Sequence, residues 1–153
     1  MPRCCSVSTL SRYGIMFRRL LTRETGAAPW RELVRVYRRL EARGEIRGGR
    51  FVSGAAGEQF ALPEAVTQLR ELRRHPRSGH VCVICTADPL NLSGIVTAGE
   101  RIRAAGSNQM AYRDGTPIAV MERGSLRALV PLGRDEEADL WRVLSRRRVS
   151  RVA

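Results

Sequence analysis

The chain has 153 residues, enough for one compact domain or two small ones, and it contains no lysine, so its basic side chains are all arginine. That absence excludes a Walker A ATP-binding loop and a Schiff-base enzyme within these residues, because both depend on a lysine amine. The formal net charge of +12 favours a polyanionic partner. Codon bias in a GC-rich genome is a second source of arginine, but it leaves the excess over acidic residues to be explained.

The N-terminal residues give the weakest pattern in the chain. Residues 1–11 show no apolar period, and we expect a poorly determined N-terminal segment there. Residues 12–24 are expected to be helical, with a break at Gly14. An apolar face can be supplied by Ile15, Phe17, Leu20 and Leu21.

The segment Pro29–Leu62 gives the strongest pattern. Pro29 suits the start of a helix, and Gly44 suits the left-handed residue that ends one. The apolar residues between them recur at helical spacing and predict a core face: Trp30, Leu33, Tyr37 and Leu40. Four arginines fall on the other side: Arg31, Arg35, Arg38 and Arg39.

An extended segment Glu45–Val52, a small-residue loop and a second strand Gln59–Leu62 follow this helix. A basic helix followed by a two-stranded hairpin predicts a winged helix-turn-helix, with the helix in the DNA major groove and the hairpin on the backbone. Arg47 and Arg50 extend the basic surface onto the hairpin. A solvated basic face on an ordinary helix and hairpin explains the same pattern equally well.

The predicted winged-helix domain covers residues 12–74 and ends with a helix over 63–74, whose apolar stripe is Val66, Leu69 and Leu72. A winged helix needs a first helix before residue 12, and we expect the chain to lack the residues for it. Residues 75–79 are predicted to be a basic linker with turn chemistry.

Residues 80–133 are predicted to form a β-barrel-like module of five or six short strands, which gives an α+β fold. Asp114-Gly115 is the strongest hairpin signal. Residues 134–153 are predicted to be a C-terminal helix and basic tail. The strand candidates are Val81–Cys85, Gly94–Thr97, Arg101–Arg103, Gln109–Arg113, Thr116–Met121 and Ser125–Val130.

Catalytic and metal chemistry are weakly indicated. Cys82 and Cys85 have zinc-like spacing, but residues three apart on a strand point to opposite faces, so we predict buried free thiols and no metal. Asp88 could activate a water, although an aspartate before proline more often hydrogen-bonds its own backbone. No catalytic or cofactor-binding residue is therefore assigned. The chain has no convincing signal peptide and no run of roughly 20 apolar residues, so a reduced cytoplasmic setting without membrane contact is expected.

Four stretches resemble the C-terminal region of the Lhr family, the large helicase-related proteins, which are bacterial DNA helicases of superfamily 2. They are RYGIMFRRLL, PWRELVRVYRRLEARGEIRGGRFVSGAAGEQFALPEAV, ADPLNL and YRDGTPIAV, and the similarity runs from about Arg12 to Leu144. The resemblance implies that upstream motor domains bind ATP and magnesium and that this chain, without a cofactor, is a detached or truncated tail handling single-stranded or duplex DNA in repair.

The same modules also resemble winged-helix DNA glycosylases that unhook crosslinks and carry a Gln-x-Gln motif. The nearest segment here, Asn108-Gln109-Met110-Ala111, lacks the second glutamine, which puts glycosylase chemistry in doubt. Three functions stay open at this point: a non-catalytic DNA-binding helicase module, a glycosylase-like repair module, and a winged helix that binds an acidic protein partner.

Overall fold

A computed structural model of the protein describes residues 2–146. The chain divides after Pro76 into two compact units, called here the winged unit and the sheet unit. The predicted basic tail beyond Arg146 lies outside the described residues. No helix in residues 2–146 has both the length and the apolar character to cross a membrane.

The winged unit interleaves helices with a three-stranded antiparallel sheet of order β1-β3-β2. Ile15 and Arg47 lie on either side of Ala61, so the last strand is the central one. This unit has the order of elements of a winged helix, which is a helix, a strand, two further helical segments and a hairpin. The elements are α1 Pro2–Tyr13, β1 Ile15–Phe17, a 3-10 helix Arg18–Arg23, α2 Trp30–Ala42, β2 Arg47–Gly49, β3 Gln59–Ala61 and α3 Pro63–Arg74.

The N-terminal residues contradict the sequence-based expectation. Pro2–Tyr13 form α1, so the first helix of the winged fold is present, and its Leu10 is buried. The predicted break at Gly14 is confirmed, but residues 15–17, which were expected to be helical, form a strand. Gly14, at φ +70°, ends α1, and a short strand and a 3-10 helix follow it. A left-handed residue of this kind closes a helix at low cost only when it is glycine.

The core of the winged unit lies between α2 and the sheet. Tyr37 and Phe60 are fully buried, with ring centroids 5.2 Å apart, and Trp30 lies within 6.5 Å of both. Tilted aromatic pairs at this spacing add about 0.5–1.5 kcal/mol beyond the area they bury. Leu33 and Leu40, on the same face of α2 as Tyr37, are also buried. The predicted core face is therefore confirmed, with Val34 as a further member.

The predicted apolar stripe of α3 does not face the core. Within Pro63–Arg74 no residue is buried, and Leu72 is 71 % exposed. Pro63 occupies the first turn, where a missing backbone N–H costs nothing. The helix itself matches its predicted bounds.

The sheet unit is an antiparallel meander of order β4-β5-β6-β7, followed by a helix. Asp114 (φ 46°) and Gly115 (φ 78°) form the turn between β5 and β6, with the positive φ pair of a tight hairpin. The elements are β4 Val81–Cys85, β5 Gln109–Arg113, β6 Thr116–Glu122, β7 Ser125–Ala128 and α4 Arg134–Arg146.

The predicted barrel is not formed, because this sheet is open at β4 and β7. Gly94–Thr97 and Arg101–Arg103, which were predicted as strands, lie in the irregular connection between β4 and β5. Leu140 and Leu144 of α4 pack on one sheet face, and Ile102 of the connection packs on the other. Since both faces are covered, the sheet buries its apolar residues without closing.

Candidate nucleic-acid interface

The exposed face of α2 carries all four arginines that the helical period predicted. Arg31, Arg35, Arg38 and Arg39 are exposed, while Leu33 and Tyr37 fill the core on the other side. At about 100° per residue these four arginines occupy an arc of roughly 100°. The helix therefore separates an apolar face from a cationic face along its whole length.

The four arginines differ in whether they are already paired. Arg38 donates from Nε to Glu58 Oε1 at 2.9 Å and forms an ion pair with the same carboxylate. Arg31, Arg35 and Arg39 have no carboxylate partner in residues 2–146. Their charge is available to a ligand, whereas that of Arg38 is partly neutralised.

Glu58 lies in the loop of the wing, so its pair with Arg38 connects the loop to α2. Both side chains are exposed, and exposed pairs typically contribute about 0–1 kcal/mol. The pair therefore does more to orient the loop than to stabilise the fold.

A buried glutamine holds the other side of the wing loop. The Gln59 carbonyl oxygen accepts hydrogen bonds from the backbone N–H groups of Phe51 and Val52, both at 2.8 Å. Its amide nitrogen donates to the carbonyl oxygens of Val52 and Ala55, both at 3.0 Å. All four hydrogen-bonding positions of the amide are thus used. One side chain in β3 shapes the loop that follows β2.

Both predicted wing arginines are exposed. Arg47 lies on β2, and Arg50 lies at the start of the wing loop. Neither has a carboxylate partner among the residues described. The tip of the loop, by contrast, is built from small uncharged residues, Ser53-Gly54-Ala55-Ala56-Gly57. The wing therefore offers charge at its base rather than at its tip.

A carboxylate of α2 is in contact with the first wing strand. Glu41 Oε1 accepts the N–H of Gly48 at 3.0 Å. A Cβ atom at position 48 would lie 2.3 Å from the same oxygen, so a side chain there would displace the Glu41 carboxylate. Since alternate strand residues face opposite sides, Gly48 faces α2, and Arg47 and Gly49 face away from it.

The turn before α2 is fixed by Glu24. Its carboxylate accepts hydrogen bonds from Arg12 Nη1 at 2.9 Å and from the Tyr13 hydroxyl at 2.7 Å, which ties the end of α1 to the turn. Burial raises the pKa of the Tyr13 hydroxyl, and the hydrogen bond to the Glu24 carboxylate raises it further. This contact positions the 3-10 helix and α2 relative to α1.

The sequence alone did not reveal the residues that hold this surface in place: Glu24, Glu41, Glu58 and Gln59. Each acts across a turn or a loop, so no helical or strand period marks it. The only signal for Gln59 was its place at the start of a strand.

The weaker candidates are structural. Asp88 Oδ1 accepts the N–H of Leu90 at 2.8 Å, the turn contact expected of an aspartate before proline. Cys82 and Cys85 are free thiols, but the predicted burial is wrong, because Cys82 is exposed and Cys85 is only half-buried. In residues 2–146 no three histidine, cysteine or acidic side chains group in a way that could hold a metal ion.

The fold and this surface together define a winged-helix domain whose second helix and wing base present exposed arginines. In a comparison with protein-family models, residues 6–81 match the winged-helix domain of the large helicase-related protein. The match confirms the resemblance of this part of the chain to the C-terminal region of Lhr-type helicases. A comparison with curated proteins finds no match.

Proposed function

We propose that the chain is a non-catalytic nucleic-acid-binding module of an Lhr-type ATP-dependent DNA helicase, acting in DNA repair in the bacterial cytoplasm. ATP, magnesium and the motor domains would belong to other parts of the helicase, and DNA would be the partner of this module. The observation that carries the proposal is the set of unpaired arginines on the exposed face of α2: Arg31, Arg35 and Arg39.

The surface favours contacts with phosphates over contacts with bases. Sequence readout in the major groove uses a mixed set of donors and acceptors, whereas the α2 face offers guanidinium groups with few alternatives. A helicase moves along any sequence it meets, so binding through phosphates serves it better. We therefore expect affinity that depends strongly on salt and little on sequence.

The proposal is tested by a salt titration of duplex affinity for the full chain and for the Arg31→Ala, Arg35→Ala, Arg39→Ala triple variant. Each phosphate contact contributes roughly 0.9 to the log–log salt slope, so the triple variant should lower it by roughly two to three. Arg38→Ala should lower the salt slope by less than the roughly 0.9 expected for one phosphate contact, because Glu58 already neutralises that charge in part.

A matched control removes the same charge elsewhere. Arg101, Arg103 and Arg134 are exposed arginines of the sheet unit, and their triple replacement by alanine should leave the slope within about 0.5 of the wild-type value. If the α2 triple variant keeps its fold by circular dichroism and binds DNA with an unchanged slope, the α2 face does not bind DNA. An acidic protein partner would then become the better hypothesis.

A further inference from the structure

A cleft between the wing and α3 lies apart from the cationic face of α2. Its volume is about 320 Å³, and its lining includes Arg47 and Phe51 of the wing and Val66 and Arg70 of α3. Arg47 points away from α2, because Gly48, the next residue of β2, faces α2. Gly48 also borders the cleft, and a ligand there would lie between β2 and α3, beside Arg47 rather than the α2 arginines.

The cleft combines an aromatic ring with two cations. Phe51 is half-buried, and a Cβ on Gly49 would lie 2.9 Å from its ring, so the ring packs against the Gly49 backbone. Gln59 fixes the Phe51 backbone through the hydrogen bond to its N–H. Arg47 and Arg70 are exposed, and neither has a carboxylate partner within residues 2–146.

We propose that this cleft binds one nucleotide of a single strand, with the base against the Phe51 ring and the phosphate between Arg47 and Arg70. A held aromatic ring beside two unpaired guanidinium groups is the chemistry that binds unpaired nucleotides by stacking and charge. A duplex does not fit, because its bases are stacked on one another and do not offer their faces.

This inference rests on the proposed function and makes it more specific. The α2 face would hold duplex phosphates, and the cleft between β2 and α3 would hold a separated strand. The module would then bind a junction between duplex and single-stranded DNA more tightly than either form alone. The charged residues that line the cleft, among those described, are Arg47 and Arg70, and the Glu41 carboxylate near its edge is occupied by the N–H of Gly48.

The test measures the anisotropy of fluorescent oligonucleotides with the full chain and its Phe51→Leu variant. Leucine keeps an apolar side chain and removes the stacking surface, so single-strand affinity should fall roughly 5- to 150-fold. Duplex affinity should stay within about two-fold. An oligonucleotide with abasic sugars has no bases to stack. Its affinity for the wild-type protein should therefore be as low as the affinity of an ordinary oligonucleotide for the Phe51→Leu variant.

Arg70→Gln supplies a second variant at an exposed position, where folding is not at risk. It should lower the salt slope for single strands by roughly 0.7 and leave that for duplex unchanged. Arg74→Gln, on the same helix but outside the cleft, is the control and should change neither slope.

Three results would overturn the inference. One is a folded Phe51→Leu variant with wild-type single-strand affinity, and another is an equal loss on duplex. The third is a deoxynucleoside monophosphate that binds as tightly as the oligonucleotide, since the cleft would then be a free-nucleotide site. If the α2 triple variant still loses duplex affinity, the proposed function survives these results. If the wild-type chain binds neither form of DNA, both proposals fail.

Discussion

The two units differ in charge. Residues 1–76 contain 15 arginines and 7 glutamates, a net charge of +8, whereas residues 77–153 contain 12 arginines and 8 acidic residues, a net charge of +4. Codon bias acts on both halves of one gene, so it does not explain why the excess is twice as large in the first half. In the second half the excess equals the four arginines closest to the C-terminus, Arg146, Arg147, Arg148 and Arg151, whereas in the first half it is spread over the winged fold.

Both units contain arginines that pair with carboxylates. Arg38 pairs with Glu58 in the winged unit, and Arg113 pairs with Glu136 in the sheet unit. Both units also contain exposed arginines without such a partner among the residues described. In the winged unit these arginines gather on one face of α2 and at the base of the wing, and this grouping is what a polyanion would contact.

The largest expected effect is the loss of stability when a buried leucine is truncated in the core of either unit. Leu33→Ala in the winged unit and Leu144→Ala in the sheet unit each truncate a buried leucine and should each cost about 2–5 kcal/mol of unfolding free energy. Thermal unfolding followed by circular dichroism checks the cost. Only Leu33→Ala should abolish DNA binding. Equal loss of binding in both variants would mean that the sheet unit also contributes to the interface.

A smaller effect is expected at the wing. Gln59→Ala removes four hydrogen bonds that hold residues 51–55, and we expect it to cost about 1–3 kcal/mol. Faster amide hydrogen exchange at Phe51 and Val52, with slow exchange retained in α2, would locate the change. Gln68→Ala, at an exposed position of α3, is the control and should cost less than about 0.5 kcal/mol.

A further effect concerns alkaline pH in the winged unit. The raised pKa of Tyr13 means that folding favours its neutral form, so this stability is present below pH 10 and is lost as pH rises through the folded-state pKa. Tyr13→Phe should flatten the loss of stability above pH 10, as measured by urea unfolding. An unchanged alkaline slope would show that Glu24 does not hold the hydroxyl in the folded protein.

The smallest effect is expected in the sheet unit at acid pH. Burial acts to raise the pKa of Asp114, but hydrogen bonds from Gly79 N–H and from Ser78, with the charge of Arg77, lower it below its ordinary value. The contact should therefore stabilise the folded state above pH 3.8 and weaken as pH falls through the folded-state pKa. Asp114→Asn should remove that dependence, measured by amide exchange at Gly79.

The elements predicted well from the sequence are those with a strong period or a specific turn. The apolar spacing of α2, the Pro63 start of α3 and the Asp114-Gly115 hairpin each depend on contacts within a few residues. Interactions between residues close in sequence therefore determine these three elements. The exposed positions of the α2 arginines follow from the same period.

The errors arise where tertiary contacts decide the structure. In α1, Leu10 and Thr9 are buried among a run of small and polar residues, so no apolar stripe marks the helix. In the connection from Thr86 to Asn108, two short segments were predicted as strands, but both are irregular, and Ile102 of the second packs against the sheet. The pairing of Arg38 with Glu58 spans 20 residues and depends on the shape of the wing loop.

The contact between Glu41 and Gly48 also bears on how the protein behaves at high concentration. Strand β2 lies at the edge of its sheet, where an outward backbone N–H can start pairing with a strand of a second molecule. That N–H is already occupied by the Glu41 carboxylate. An added strand would have to displace the carboxylate and approach its negative charge. Glu41, which contacts the first wing strand, therefore also disfavours pairing of β2 with a strand of a second molecule.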